Sequence, residues 1–519
     1  MRYADSLPEA LYSADSVRAM DRYLIEEQGI DGFDLMQAAA RAGFRQLRKR
    51  WPSPGSLLVL CGAGNNGGDG YLIAANAQRH GIFVECVAVA PSAKLSGDAL
   101  KAFEVASRDS VPITEISDMP EGVFQEKLAA ADVVVDALLG TGVTGAPRAP
   151  FSEVIRAVNQ AKRPVLAVDL PSGLDATTGA AEGEVLQAEL TVTFIGVKIG
   201  LYTGAGPAVC GQVVFEPLAT QEQISGCSEQ PVARLARWRD CQAGFPQRPL
   251  NAHKGHFGHV LIVAGESGFG GAGIMAAEAA SRAGAGLVSL ATRPEHVTAA
   301  LVRCPSVMVR GVVHGSELVA LIEKADVVVC GPGIGKSAWG QQMLQQVLDS
   351  GKPRVLDADA LNLMATRAAI PSNQHVLTPH PGEAARMLGC SVAEIEADRL
   401  AAAQKIQKIW GGVVLLKGAG TVIATNANRP VVIAGGNPGM ATGGMGDVLS
   451  GMLGAFIGQL LDDIEFASIA AASAHLAAGD RAAERLGYMG LLPTDIIQDL
   501  PFVLKQTDVI GVRDHREDK

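Results

Sequence analysis

Two acids in this 519-residue chain stand where glycines clear the backbone around them. The first is Asp69, in CGAGNNGGDG from Cys61 to Gly70, and the second is Asp447, in GNPGMATGGMGDVLSG, which ends at Gly451. In the first string Gly62, Gly64 and Gly67 satisfy G-x-G-x-x-G. Between a strand and a helix, that spacing rests a pyrophosphate on helix N-terminal amides. Asn65, Asn66 and Asp69 add two amides and a carboxylate beyond what a phosphate needs. In the second string Gly443, Gly444 and Gly446 permit a tight turn. Its amides can cradle a phosphoryl group as negative charge builds on it. A carboxylate at the following helix start, Asp447, can take the proton from an attacking hydroxyl. A glycine turn with an acid at a helix start is also good capping, but the glycines here exceed what a cap requires.

Further candidates fall at strand ends. Asp136 lies in an apolar run that opens into GTGVTGA, from Gly140 to Ala146, and the next apolar run ends in DLPSGLD with Asp169, Ser172 and Asp175. Open parallel sheets build their sites at such C-terminal strand ends. An Asn amide oxygen, a carboxylate and a Ser hydroxyl converging there would suit a weakly held cation without redox chemistry. Read singly, Asp136 caps a loop and Ser172 is a turn residue; an ordinary NAD dehydrogenase is the rival for this half. That rival wants an acid at the end of the second strand, where Val89-Ala90-Pro91 stands, with Glu85 inside the strand. In the second half, Lys417 ends an apolar run and Gly418 to Thr421 follow as a hairpin would to hold phosphates. His380 and Glu383 lie in TPHPGEAARMLG, where a ligand contact competes with a polar core histidine. GPGIGKS, Gly331 to Ser337, is not a P-loop, because Cys330 stands where the first glycine must be.

The elements that must position these residues read as α/β throughout. Ser56 to Cys61, Phe83 to Ala90, Asp132 to Leu139, Pro164 to Leu170 and Leu190 to Val197 are continuous apolar runs. Such runs are buried on both faces, hence strands of a parallel sheet. Asp15 to Lys49 and Tyr71 to Arg79 have helical spacing. Periodicity dissolves from Leu218 to Pro249, then restarts with strand-like runs at 259–264, 287–291, 326–330, 354–356, 375–377 and 413–416, and a long helix near Gly443 to Leu461. The division predicted is a first domain over 1–220, a linker over 221–249 and a second domain over 250–519.

Composition excludes other classes. Net charge is −10 and no basic run could track a phosphate backbone, so no nucleic acid is expected. The eight cysteines form no Cys-x-x-Cys pair and read as small apolar side chains in a reducing compartment. The first twenty residues hold Arg2, Asp5, Glu9, Asp15 and Arg18, which argues against a secretion signal, and no stretch is long and apolar enough to span a bilayer. The expectation is a cytosolic homo-oligomer without membrane contact.

NNGGDG, VDALLGTGVTG and VDLPSGLD, in this order, resemble the NAD(P)H-hydrate epimerase family over nearly the whole first half. The resemblance implies a Rossmann-like, doubly wound domain that interconverts the epimers of hydrated NADH and NADPH. It implies substrate contacts at Asn65, Asn66, Gly67, Gly68, Asp69, Gly140, Thr141, Gly142, Val143, Thr144, Gly145, Ala146 and Asp169. A potassium ion would lie on Asn66, Asp136 and Ser172, with Asp169 and Asp69 as acid–base candidates. HKGHFGHVLIVAG, GGAGIMAAEAA, TPHPGEAARMLG, LLKGAGTVI and the Asp447 string resemble the ribokinase-like NAD(P)H-hydrate dehydratases from about 230 to 505. That resemblance implies Mg²⁺ with ADP, or ATP, as phosphoryl donor. Ala272, Gly335, His380 and Asp447 would contact the hydrate, with Asp447 as base, and Lys417, Gly418, Ala419, Gly420, Thr421 and Gly446 would hold the nucleotide. A vitamin or sugar kinase remains the rival for the second half, and a nucleotide-sensing module without catalysis the rival for the first.

Overall fold

The computed structural model describes residues 9–142, 145–245, 247–426 and 429–505. The chain divides between Arg234 and Leu235 into two compact units, with Glu396–Asp398 alone of the later residues grouped with the first.

The first unit is built on strands β1 (Ser56–Cys61), β2 (Phe83–Ala88), β3 (Ile113–Glu115), β4 (Val133–Ala137), β5 (Val165–Val168), β6 (Leu190–Phe194) and β7 (Gln212–Glu216). They run in the order β3-β2-β1-β4-β5-β6-β7, every pair parallel. Both faces are covered, and alternation along each strand feeds two separate cores. Leu57 and Val59 enter one with Tyr71 and Ile73, while Leu58 and Leu60 enter the other with Phe124 and Ile155. The strand order reverses between β1 and β4, which opens a crevice at their C-terminal ends.

The helical span expected over Asp15 to Lys49 is two helices, Ala14–Glu26 and Gly32–Arg50. The break falls where the Asp31 carboxylate accepts from Phe33 N at 2.8 Å and restarts the chain as an N-cap. The helix expected from Tyr71 begins earlier, at Asn65, so the Asn65–Asp69 segment is a first helical turn and not a loop. A two-residue strand, Val197–Lys198, pairs in parallel with Ala10–Tyr12, a strand the apolar pattern did not announce.

The second unit carries β8 (His259–Val263), β9 (Leu287–Thr292), β10 (Met308–Gly311), β11 (Val327–Cys330), β12 (Arg354–Leu356), β13 (His375–Leu377), β14 (Val413–Leu416), β15 (Thr421–Ala424) and β16 (Val431–Ile433). The order is β10-β9-β8-β11-β12-β13-β14-β15-β16, parallel as far as β14 and antiparallel beyond it. The long glycine-flanked helix, Met445–Gln459, packs on one face of this sheet through Val448, Met452 and Phe456 against Val260, Ile262, Val327 and Val329. The stretch read as aperiodic holds a short strand, Ala233–Ala236, and a helix, Trp238–Gln242. Among the described residues no helix is long and apolar enough to cross a membrane.

Candidate active sites

In the first unit the C-terminal ends of β1, β4, β5 and β6 surround a cavity of about 800 Å³. Asn65, Asn66, Asp69, Gly140, Thr141, Gly142 and Asp169 line it. Gly62 explains how the loops after β1 and β4 come so close, since a Cβ there would lie 1.9 Å from the Leu138 carbonyl oxygen. Gly67 and Gly68 do not line the cavity: they face the Gly62 backbone and Met36, where any side chain would collide. Gly145 borders a small adjoining recess. Val143 and Thr144 lie outside the described residues.

Lys198 is the main residue that sequence reasoning missed here. It is 1% exposed, its ammonium pairs with the Asp169 carboxylate, and it also donates to Thr193 Oγ1 at 3.2 Å and Phe194 O at 3.0 Å. Asp169 itself sits at φ +69°, a left-handed conformation that costs a non-glycine residue about 1–3 kcal/mol and persists only where its surroundings enforce it. Its backbone N–H donates to Val192 O at 2.8 Å. Two further acids share this field. Burial holds the Asp69 carboxyl well above its ordinary range, and the charges of Asp169 and Asp21 add to the rise. Asp21 is also raised, first by burial. The cavity therefore sets the Lys198–Asp169 ion pair beside two acids biased towards their neutral form. Such a set can deliver and remove a proton within one site.

Asp136 and Ser172 lie beneath this cavity. Asp136 is fully buried and accepts from Ser172 N at 2.8 Å, Ser172 Oγ at 2.6 Å and Leu138 N at 3.2 Å. Burial raises its carboxyl to about 6 against those hydrogen bonds. Leu139 O accepts from Asn66 Nδ2 at 3.0 Å and from Ser172 Oγ at 3.4 Å, so Asn66 and Ser172 converge on one carbonyl. Asn66 Oδ1 is buried with no partner. An orphan amide oxygen, a hydroxyl, a carbonyl and a buried carboxylate without a cationic partner fit a monovalent hard cation.

In the second unit the corresponding strand ends carry another acid–lysine cluster. Lys417 Nζ donates to Asp357 Oδ1 at 2.6 Å. Asp357 also accepts from Thr378 Oγ1 and Ser450 Oγ, each at 2.8 Å. Burial opposes ionisation of Asp357, but these three donors outweigh it and hold the carboxyl below its ordinary value. Burial likewise opposes the Lys417 charge, which Asp357, Glu383 and Asp447 more than restore. Asp447 lies in the first turn of Met445–Gln459, and burial with help from the Asp357 charge pushes it up to about 7. Gly446 is set so that a Cβ would be 3.2 Å from Lys417 Nζ. His380 caps the helix Pro381–Leu388, its Nδ1 accepting from Gly382 N at 3.0 Å. Burial and the charges of Lys417 and Arg386 lower its pKa, which keeps the imidazole neutral.

Lys417 leads into the hairpin of β14 and β15, whose turn holds Gly418, Ala419 and Gly420, and Thr421 Oγ1 donates to Gly418 O at 3.2 Å. Ala272 lies in the first turn of Gly270–Arg282, within reach of the Gly333–Gly335 loop. Gly335 N donates to Asp359 Oδ2 at 3.0 Å. Sequence reasoning missed Asp357 and Asp359, although an acid at the C-terminal end of a strand, as Asp357 is after Arg354–Leu356, is the signal that had marked Asp169 after Val165–Val168.

Both units thus place acid–base groups and a lysine paired to one of them at parallel-sheet strand ends, which defines a two-domain enzyme of proton and phosphoryl chemistry. Residues 32–200 match the family described as YjeF-related protein N-terminus, and residues 260–502 match NAD(P)H-hydrate dehydratase. The bifunctional NAD(P)H-hydrate repair enzyme Nnr of Coxiella burnetii is 43% identical over 94% of this chain and 98% of its own. The enzyme of the same name from Escherichia coli is 43% identical over 95% of this chain and 94% of its own. A solved structure, the ADP/ATP-dependent NAD(P)H-hydrate dehydratase of Bacillus subtilis co-crystallized with ATP/Mg²⁺, has 28% identity and a TM-score of 0.47, covering 51% of this chain and 95% of that one. This chain belongs to the bifunctional NAD(P)H-hydrate repair enzymes. It joins an epimerase domain to a ribokinase-like dehydratase domain, and its rivals as dehydrogenase, vitamin kinase or passive sensor fall away. The Glu85 carboxylate, the acid a dehydrogenase would have needed, is paired with Lys127.

Proposed function

We propose that the two clusters divide the repair of a hydrated dihydronicotinamide between them. In the first unit the hydrate's ring lies over Asp169 and Lys198, with Asn65 to Asp69 and Gly140 to Ala146 against the remainder of the substrate. Epimerisation requires loss and return of the hydroxyl on one carbon. The neutral carboxyl of Asp69 protonates the departing oxygen, and the Asp169–Lys198 pair stabilises the charge left behind. Asn66, Asp136 and Ser172 hold potassium beneath the site. Once bound, such an ion would supply positive charge to these oxygens, and Asn66 and Ser172, both hydrogen-bonded to Leu139 O, hold the loop that carries Gly140.

In the second unit Asp447 takes the proton from the hydroxyl of one epimer, and that oxygen attacks the terminal phosphorus of ADP, or ATP, with the remaining nucleotide leaving. The new phosphate ester then departs with its C–O electron pair while a neighbouring ring carbon loses a proton, and the ring double bond returns. Lys417 to Thr421 and Gly446 hold the phosphates; Ala272, Gly335 and His380 face the hydrate. Asp357, Glu383 and Asp447 surround a single ammonium. A polyphosphate can enter that field only with its charge neutralised, so the nucleotide arrives as its Mg²⁺ complex. The unpaired cysteines accord with a cytosolic setting.

The observation that carries this reading is the pKa of Asp447, poised at about 7 beside a glycine turn at a helix N-terminus. The test follows the return of dihydronicotinamide absorbance from mixed-epimer NADPH hydrate with ADP or ATP and Mg²⁺. Complete recovery by the native enzyme, none with Asp447→Ala and a slow second phase with Asp136→Ala is the expected pattern. No recovery with either nucleotide would sink it.

A further inference from the structure

Between the residues assigned to the nucleotide and those assigned to the hydrate runs one short turn, Asp357-Ala358-Asp359, directly after β12. Its two carboxylates point their hydrogen bonds in different directions. Asp357, 1% exposed, gathers Lys417 from the phosphate hairpin, Ser450 from the helix that Asp447 opens, and Thr378 from the loop before His380. Asp359 takes Gly335 N on one oxygen and Asn362 Nδ2, at 3.4 Å, on the other. Asn362 Oδ1 in turn accepts from Arg386 Nε at 2.7 Å, on the helix that His380 caps. The residue between them, Ala358, is held at φ +48° and ψ −116°. An alanine reaches that region only when its neighbours impose it. Gly331 crosses so close that a Cβ would lie 1.9 Å from Asp357 O, which locks the turn against the preceding strand end.

We propose that the Asp357-Ala358-Asp359 turn is the positioning element of the dehydratase site, with Asp357 setting the nucleotide side and Asp359 the hydrate side. Neither acid contacts reacting atoms. Each acts through the groups it holds, and the strained alanine fixes one carboxylate relative to the other. Phosphoryl transfer from a bound donor to a bound alcohol depends on that relative placement, where a misplacement of about 1 Å costs on the order of a hundredfold. The proposal rests on the assignment of Asp447 as base and Lys417 as a phosphate contact.

The two arms predict different failures. Asp357→Asn keeps the side chain's size but removes its charge and one of its two acceptor oxygens, which frees Lys417 and removes one of the causes that raise Asp447. Asp447 is faced by Asp357 and Lys417, and Lys417 in turn by Glu383, His380 and His475. The expected result is kcat lower by about a hundredfold and the acid limb of the kcat–pH profile displaced to lower pH. Asp359→Asn, at a half-buried position, should raise the KM for the hydrate about tenfold and leave the KM for ADP within about twofold. Urea unfolding midpoints of the full-length variants, set beside the native enzyme, identify a folding defect. An Asp357→Asn enzyme whose kcat falls equally at every pH overturns the nucleotide arm. An Asp359→Asn enzyme that raises both KM values alike overturns the hydrate arm. Full activity in Asp447→Ala would instead bring down the underlying assignment of the base.

Discussion

The two units solve a similar electrostatic problem with similar parts and use them differently. Each has one lysine among three carboxylates: the buried Lys198 with Asp169, Asp69 and Asp21, and the half-buried Lys417 with Asp357, Glu383 and Asp447. In the first unit the acid paired to lysine borders the cavity, at a strained backbone position, and retains 17% side-chain exposure. In the second the paired acid is sealed at 2%, its oxygens filled by Thr378 and Ser450 as well as the lysine. The paired acid of the first unit is therefore available to a substrate, while that of the second is sealed and only its lysine, Lys417, remains accessible. On the proposed assignment, chemistry in the second passes to the remaining acid, Asp447, at the glycine turn. Proton chemistry on one carbon needs only the pair and a neutral acid; a polyphosphate needs open amides and a base set apart from the lysine that binds it.

The comparison breaks most sharply at Asp447. Its replacement by alanine should lower dehydration by about 10³-fold or more, while epimerisation, followed by chromatography of the two hydrates without nucleotide, stays at the native rate. Loss of epimerisation as well would mean that the sites are not separable. The second largest effect is expected from Lys198→Met, which leaves Asp169 unpaired in a half-buried site. Epimerisation should fall about a hundredfold, and dehydration of the competent epimer should not change. If Lys198→Met spared epimerisation, the pair of the first unit would be scaffold and the contrast would vanish.

The third expectation is a pH dependence with a definite sign. Asp447 must be ionised to accept a proton, and its folded pKa is raised to about 7. Dehydration at limiting hydrate should therefore fall about tenfold per unit below that value and level off above it. Epimerisation, which uses the protonated form of Asp69, should show no such acid limb near neutrality. Stopped-flow absorbance across pH 5 to 9 separates the two.

Much of this was legible in the order of residues, and the misses have physical reasons. Continuous apolar runs exposed the long parallel strands, because burial on both faces leaves no polar alternation to confuse them. Ala10–Tyr12, Ile113–Glu115 and Val431–Ile433 are three residues each and went unannounced, although the equally short Arg354–Leu356 and His375–Leu377 did not. Glycine-rich strings marked Asp69 and Asp447 because close backbone approach requires glycine whatever the ligand. Lys198 escaped because it lies in an apolar run, FIGVKIG, where a lone lysine reads as a strand-edge charge. Its role depends on pairing between Val197–Lys198 and Ala10–Tyr12, a contact nearly 190 residues apart in sequence that no local pattern carries. Asp357 escaped for the opposite reason: it sits in no glycine string, and only the three donors from distant elements reveal it.

The smallest effect concerns the layer beneath the first site. Among the described residues the fully buried Asp136 carboxylate is partnered by Ser172 and the Leu138 amide alone, and Asn66 Oδ1 has no partner. The second cluster contains no such layer, since its buried acid is already neutralised by Lys417. Potassium should therefore raise the unfolding temperature of the first unit alone. At a hundredfold excess over Kd, linkage adds about 2.7 kcal/mol, which at about 2–4 °C per kcal/mol is a shift of several degrees. Calorimetry of the full chain in potassium against a bulky organic cation at equal ionic strength reads it. Asp136→Asn removes the buried charge, so it should abolish the potassium response while leaving the second transition where it was. A response that survives this substitution would move the cation elsewhere, and one that appears in both transitions would show general screening in place of a built site.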